Sequence, residues 1–281
     1  MSDLTGSRVV CFTSDIEWAP DWAIQEMYAV MDRYGVPVTP FVTHESPYLR
    51  ARLSTVEDRF DVGVHPNFLL PSTHGSTMDE VIDHVMALWP EARSFRAHCF
   101  YDHTRMSRAF AERGFTYESN LCLFLQPFLT PFRSGTSLLR FPVFWEDDFH
   151  NAHRLDWAID SIREALEMPG LKIMNIHPLL VALNCPSDEL YERNRMMYDW
   201  HDDGWQSYRY DGRGAGTFLE ELLSYVRDEG LRVASLHELY VEAEDQHLTP
   251  FDDETLFRAP RHGTYGWQPP AVRSSGARRA R

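Results

Sequence analysis

Lysine is almost missing from this chain. Lys172 stands alone among 27 basic residues, and 42 acids outnumber them, giving a net charge of −15. A phosphate-rich partner needs a basic face, so this balance argues against nucleic acid and against an anionic membrane surface. The preference for arginine is read as coding bias and carries no functional weight. Long apolar runs are missing too, none approaching the ~18 residues of a membrane span. The amino terminus "MSDLTGSRVVCFTS" has no basic region ahead of an apolar core, so no export signal is visible and a cytoplasmic protein is expected. Cysteine is sparse: Cys11, Cys99, Cys122 and Cys185 form no CxxC pair and are expected to be reduced core thiols rather than disulfides. No internal repeat is present.

What is there is a rhythm. Hydrophobic residues make up 43% of 281 positions and charged ones 25%, enough for one large α/β domain. "RVVCFTS" reads as a buried strand, "WAIQEMYAVMDRY" as a helix closed by Gly35, and "VPVTPFVT" as the next strand. "DVGVH", the helix "MDEVIDHVMALW" with Ser76 or Thr77 as cap, "ARSFRAH" and "MSRAFAERG" continue it. "LLRFPVF", a helix over "LDWAIDSIREALE", "LKIMNIH", the helix "TFLEELLSYVRDEG" and a last strand and turn in "LRVASLHEL" complete about seven repeats. Such alternation predicts a parallel sheet with outer helices, residues 7–244 forming one domain. Residues 184–216, rich in Tyr, Trp, Asp, Arg and Gly, break the rhythm and read as an insertion or lid. Residues 245–281 lose periodicity and are expected to be a partly disordered extension.

In a parallel α/β frame the functional groups gather at the carboxyl ends of strands. Here those ends carry Asp15-Ile-Glu17, His65-Pro-Asn, Arg96-Ala-His98, Trp145-Glu-Asp-Asp148 and His177-Pro. Carboxylate and imidazole together suit a divalent transition metal such as zinc, held by three protein ligands with a position left open. A metal so held brings bound water to a pKa of roughly 7. Amide hydrolysis needs that activated water, a stabilised oxyanion and a proton for the departing nitrogen.

Taken in order, these segments resemble the NodB-homology polysaccharide deacetylases. "FTSDIEW" and "YGVPVTPFV" stand where that family has a T-F-D-D motif and a following G-[VI]-P strand. "FDVGVHPN", "FRAHCFY", "GFTYESN" and "IMNIHP" match its later motifs, and "FLEELLSYVRDEGLRVASLHEL" its closing helix and strand. "HPNFLLPSTHG" and "FWEDDFH" are most similar to the WbmS-like branch, associated with bacterial surface polysaccharides. The resemblance implies an α/β fold, a distorted (β/α)7-type barrel. It implies a metal-dependent hydrolase removing an N-acyl group, acetyl in the family, from an amino sugar or glycan precursor.

Residue by residue, it implies Asp15 as general base and Glu17 as metal ligand, with those two roles interchangeable because the family has adjacent acids. His65 matches the first histidine ligand; the second lies four residues on in the family, where this chain has Leu69. His74 is taken as its substitute, with His98 as the alternative. Arg96 matches the arginine that orients the base, and His177 the acid that protonates the leaving amine. Asp147 or Asp148 would orient His177, Asp148 being favoured, with Asp147, Trp145 and Trp18 lining the sugar groove. Two alternatives stay open: a non-sugar C–N bond as substrate, since "HP" replaces the family's "HD", and a non-catalytic carbohydrate-binding domain, since position 69 lacks its histidine.

Overall fold

The computed structural model describes residues 8–54, 61–194 and 203–245. In chain order the elements are β1 (Arg8–Asp15), α1 (Asp21–Tyr34), β2 (Val38–Val42), α2 (Pro47–Leu53), β3 (Gly63–Val64), α3 (Met78–Leu88), β4 (Ser94–Phe95), α4 (Thr104–Glu112), β5 (Tyr117–Glu118), β6 (Phe132–Arg133), β7 (Leu139–Arg140), β8 (Val143–Glu146), α5 (Asp147–Ala152), α6 (Arg163–Glu167), β9 (Gly170–Ile176), α7 (Pro178–Leu183), α8 (Asp188–Asn194), α9 (Ala215–Asp228), β10 (Arg232–Val233) and α10 (Leu236–Asp245). The sheet runs β6-β7-β5-β4-β3-β2-β1-β9-β8, with β10 beside the start of β1. Every pairing is parallel except β6 with β7. The sheet curls back on itself. β7 pairs with β5, Cys122 bridges to Val143 of β8, and β8 pairs with β9, so the ring of strands returns to β1. This is the distorted (β/α)7-type barrel expected from the sequence.

Period-two alternation explains how the barrel positions a site. Val10 and Phe12 face the outer core, where the apolar stripe of α1 (Ala23, Ile24, Met27, Val30, Met31) packs against the strands. Val9 and Cys11 face inward, beside Phe41, Tyr117, Leu171 and Ile173, with Leu236 and Leu239 of α10 in the same cluster. Higher on the same inward faces come Thr13 and Asn175, then Asp15 and His177. The interior therefore changes from apolar to polar along the strands, and it opens at their carboxyl ends.

The structure departs from the sequence expectation in three places. The helix expected over 155–167 is broken: Ala158 is extended, a 3₁₀ turn spans Ile159–Ser161, and only α6 is α-helical. Tertiary bonds take its backbone and side chains, as the Trp157 indole donates to Pro186 O and the Ile159 N–H to Glu221. The last "strand and turn" is a two-residue strand followed by α10, whose start is capped reciprocally by Ser235 and Glu238. Of the four thiols, Cys11 and Cys185 are buried as expected, Cys122 is half-buried, and Cys99 is exposed on a left-handed turn. All four are free.

The described part of the 184–216 stretch is packed. Trp205 stacks on Trp22 of α1 at 4.8 Å, and Asn184, itself left-handed, donates to Tyr210 O and Gly212 O and accepts from the Thr217 N–H. The 245–281 extension falls outside the described residues apart from Asp245. Among the described residues no helix is long and apolar enough to cross a membrane.

Gly63 sits where β3 crosses Phe41. A Cβ there would lie 2.3 Å from the Phe41 ring. Gly63→Ala is therefore expected to cost about 1–3 kcal/mol through overpacking. Urea unfolding measures it, and an unchanged midpoint would show that Phe41 can yield.

Candidate active site

The mouth is built on turns that ordinary residues rarely adopt. After β1 the chain passes through Glu17 and Trp18 at φ 46° and 57°, and after β4 through Cys99 and Phe100 at 55° and 50°. Such left-handed conformations are uncommon for non-glycine residues and persist only where surrounding contacts enforce them. Here the Trp18 N–H donates to Thr43 Oγ1 and the Ile16 N–H to Phe41 O, turning Glu17 back over the barrel. The His98 N–H donates to Pro66 O, which fixes His98 beside the loop that follows His65.

These turns bring Glu17, His65 and His98 together, one ligand atom from each lying within 4.8 Å of the others. His98 Nδ1 is 2.6 Å from Glu17 Oε1, and His65 Nε2 is 3.5 Å from the same oxygen. The His65 ring is fully buried, and neither of its nitrogens has a hydrogen-bond partner. Burying a polar ring unbonded is costly, so the donor set fits a cation. Two imidazoles and one carboxylate are also the ligand number and type of an open zinc site. Burial alone would raise Glu17, but the His65 and His98 rings beside it hold it well below the usual carboxylate range. Burial would lower His98, but Cys99 and Glu17 push it up to about 10, so a cation at this ring would displace a proton.

His74 lies elsewhere. Its Nδ1 accepts from the Asn67 N–H at 3.0 Å and its ring stacks on His84 at 4.8 Å, with Trp18 between it and His98. It is not in the group formed by Glu17, His65 and His98.

Beneath these residues is a layer of buried polar groups. Arg96 is wholly enclosed and lies over the Phe41 ring at 4.4 Å. Its guanidinium donates to Asp15 Oδ1 at 2.9 Å, Thr13 Oγ1 at 3.0 Å, Asn175 Oδ1, Ser119 O at 2.8 Å and Ser119 Oγ at 2.7 Å. The Asn175 amide donates to the other Asp15 oxygen at 3.0 Å. Asp15 is thus gripped from two sides, with His65 Nδ1 3.6 Å away.

On the far side, His177 Nδ1 is 2.6 Å from Asp147 Oδ1, and its N–H donates to Asp147 Oδ2 at 2.8 Å. Its free Nε2 faces Glu146 at 3.7 Å, Asp148 at 3.8 Å and Glu17 at 4.0 Å. Burial opposes the imidazolium, but Asp148, Asp147 and Glu17 outweigh it and raise His177 well above its ordinary value. The contact expected of Asp148 is made by Asp147, because α5 starts at Asp147 and turns Asp148 outward, half exposed. Trp145, expected in the groove, is instead a core residue: 1% exposed, stacked on Phe218 and donating to His150. A β-bulge between Val143 and Trp145 breaks the alternation of β8 and puts Trp145 on the outer face. Phe149 is an exposed aromatic ring near the mouth, with the half-buried Phe100 against it at 6.2 Å.

Asn175 and Glu146 were not singled out by sequence. The available signal for Asn175 was parity: it stands two residues before His177 on β9, as Thr13 stands before Asp15 on β1.

A curled, mostly parallel barrel whose acids and imidazoles meet at one mouth is the polysaccharide deacetylase class of fold. Within it, the chain belongs to the WbmS-like polysaccharide deacetylase family, whose model matches residues 12–195. The crystal structure of WbmS from Bordetella bronchiseptica, described as a polysaccharide deacetylase involved in O-antigen biosynthesis, is similar at 30% identity and a TM-score of 0.69. That match covers 78% of this chain and 91% of that one. A polysaccharide deacetylase structure from Mycobacterium smegmatis is 17% identical with a TM-score of 0.45, covering 84% and 96%. A family 4 carbohydrate esterase from Streptomyces lividans is 14% identical with a TM-score of 0.43, covering 83% and 93%. No curated protein sequence matches the chain.

Asn175→Leu keeps the side chain's bulk but removes the amide, leaving buried Arg96 and Asp15 each one partner short. The expected loss is about 1–3 kcal/mol of folding free energy. Chemical denaturation that shows no loss would mean that Arg96 and Asp15 find other partners.

Proposed function

We propose that this chain is a metal-dependent deacetylase that removes an N-acetyl group from an amino sugar of a glycan precursor. The observation that carries the reading is the meeting of Glu17, His65 and His98 from three separate strand ends, around an imidazole that nothing else hydrogen-bonds. These three residues would hold the metal, zinc being the ion their chemistry suits best. His98, rather than His74, takes the place of the histidine that position 69 lacks. When bound, the metal supplies Lewis-acid polarisation of the acyl oxygen and a water of pKa ~7.

The remaining work falls to the chain's own side chains. Asp15 takes the proton of the attacking water, its carboxylate aimed by Arg96 and Asn175. Asp147 accepts the Nδ1–H of His177 and so fixes its tautomer, leaving the Nε2 proton directed at the departing nitrogen. The negative groups around His177 keep it charged at neutral pH, as a general acid must be. Asp148 stands at the rim and, with Trp18, Phe100 and Phe149, meets the sugar. The O-antigen role described for the Bordetella bronchiseptica protein supports an amino sugar destined for a surface polysaccharide.

Metal analysis of the purified protein tests the ligand set. About one equivalent of zinc is expected in the wild type and in His74→Ala, and none after dialysis in His65→Ala or His98→Ala. Retention by His98→Ala with loss by His74→Ala would reverse the assignment. Acetate release from a panel of N-acetyl amino sugars, sugar nucleotides and oligosaccharides tests the reaction. His177→Ala should keep its metal while kcat falls roughly 10²–10⁴-fold. No acetate released by the metal-loaded wild type from any of them would overturn the deacetylase reading.

A further inference from the structure

Glu146, at the end of β8, has no place in the scheme above, yet it lies between the two groups that exchange protons. It is 4% exposed, its Oε2 has no hydrogen-bond partner, and its Oε1 accepts weakly from Asn175 Nδ2 at 3.5 Å. Asn175 gives its other amide hydrogen to Asp15, so one side chain holds both carboxyls to the same spot. His177 Nε2 is 3.7 Å away, and Asp15, Glu146 and His177 each place an atom within 4.8 Å of the others. Asp15 and His177 are themselves 3% and 5% exposed, so a proton on one has little access to bulk water. No arginine or lysine contacts Glu146 among the described ion pairs. Its titratable neighbours are His177, Asp148, Asp15, Asp147 and Cys122. Burial raises it well above the usual carboxylate range, opposed by His177 and reinforced by Asp148, Asp15 and Asp147, which favours its protonated form.

We propose that Glu146 is a proton relay that returns the proton taken up by Asp15 to His177 within each turnover. The proposal rests on the deacetylase reading. In the forward step the water oxygen bonds to the acyl carbon and one water proton passes to Asp15, the other staying on the acyl product. His177 gives its Nε2 proton to the leaving nitrogen as the C–N bond breaks and its electron pair goes to nitrogen. Asp15 then holds a proton and His177 lacks one. One oxygen of Glu146 accepts the proton from Asp15 while the other gives its own to His177 Nε2. The separations are within reach of a small rotation or one bridging water. Asp15 is again a carboxylate, Glu146 a neutral acid and His177 an imidazolium. No proton has to come from solvent.

Two measurements on the metal-loaded enzyme test this. Infrared difference spectra of wild type against Glu146→Gln at neutral pH should show the C=O stretch of a protonated carboxylic acid in the wild type alone. Only an ionised carboxylate at this position would overturn the relay. Glu146→Gln should keep its metal and its KM while kcat falls by roughly 10²-fold, with Glu146→Asp recovering part of the loss. A kcat for Glu146→Gln within about threefold of wild type, metal retained, overturns the relay and leaves the deacetylase reading intact. A wild type that deacetylates nothing overturns both, whatever the infrared band shows. Loss of metal or of the folded midpoint in Glu146→Gln together with full recovery in Glu146→Asp assigns the residue a structural role and also overturns the relay.

Discussion

Arg96 is a full positive charge held where water does not reach it, and the mouth of the barrel is assembled around it. A buried charge is tolerated only when its hydrogen bonds are met, and breaking one such pair typically costs about 3–5 kcal/mol. Here Thr13, Asp15, Ser119 and Asn175 meet them, drawn from β1, β9 and the segment after β5. The guanidinium thereby ties three strands at one height and sets the orientation of Asp15. Below it lie the apolar rings and branched side chains of the barrel floor; above it the acids and imidazoles of the mouth begin. Phe41 under the guanidinium and Gly63 under Phe41 extend this dependence down into the packed interior.

The two sides of the mouth show how similar residues take different tasks from their surroundings. Glu17 meets two imidazoles and is held toward its ionised form, whereas the more deeply enclosed Glu146 meets mostly carboxylates and is pushed toward its protonated form. Asp147 is the partner of His177 because it begins a helix and points inward; its neighbour Asp148, one residue on, turns to the rim. The left-handed turns at Glu17–Trp18 and Cys99–Phe100 are the local strain through which a D-x-E spacing and a displaced histidine still reach one point. That strain is a reason to regard the altered spacing as an accommodated feature of the site.

Much of the frame was legible in the sequence, because strands buried on both faces read as continuous apolar runs and α1 ends at a glycine in the left-handed region. The acids and histidines at strand ends were legible for the same reason. Which histidine would meet Glu17 was not: His74 and His98 both follow strands, and only the turn after β4 decides between them. Trp145 was misplaced because a β-bulge between Val143 and Trp145 shifts residue parity within "FPVFWEDD", which the sequence does not record. The helix expected over 155–167 failed because Trp157 and Ile159 bond to distant groups, something local periodicity does not record. Asn175 carried only a parity signal, which becomes meaningful once the neighbouring strand is known, and the bulge in β8 left Glu146 without even that.

The proposed chemistry depends most on Glu17, His65 and His98 sharing one ion. Diffraction at the zinc edge from crystals of the metal-loaded protein tests this directly, since the anomalous signal locates the ion independently of the chain. The prediction is a single peak bonded to a Glu17 carboxylate oxygen and to one ring nitrogen each of His65 and His98, with His74 outside its coordination sphere. A peak bonded to His74 in place of His98, or no peak within the mouth, would contradict it.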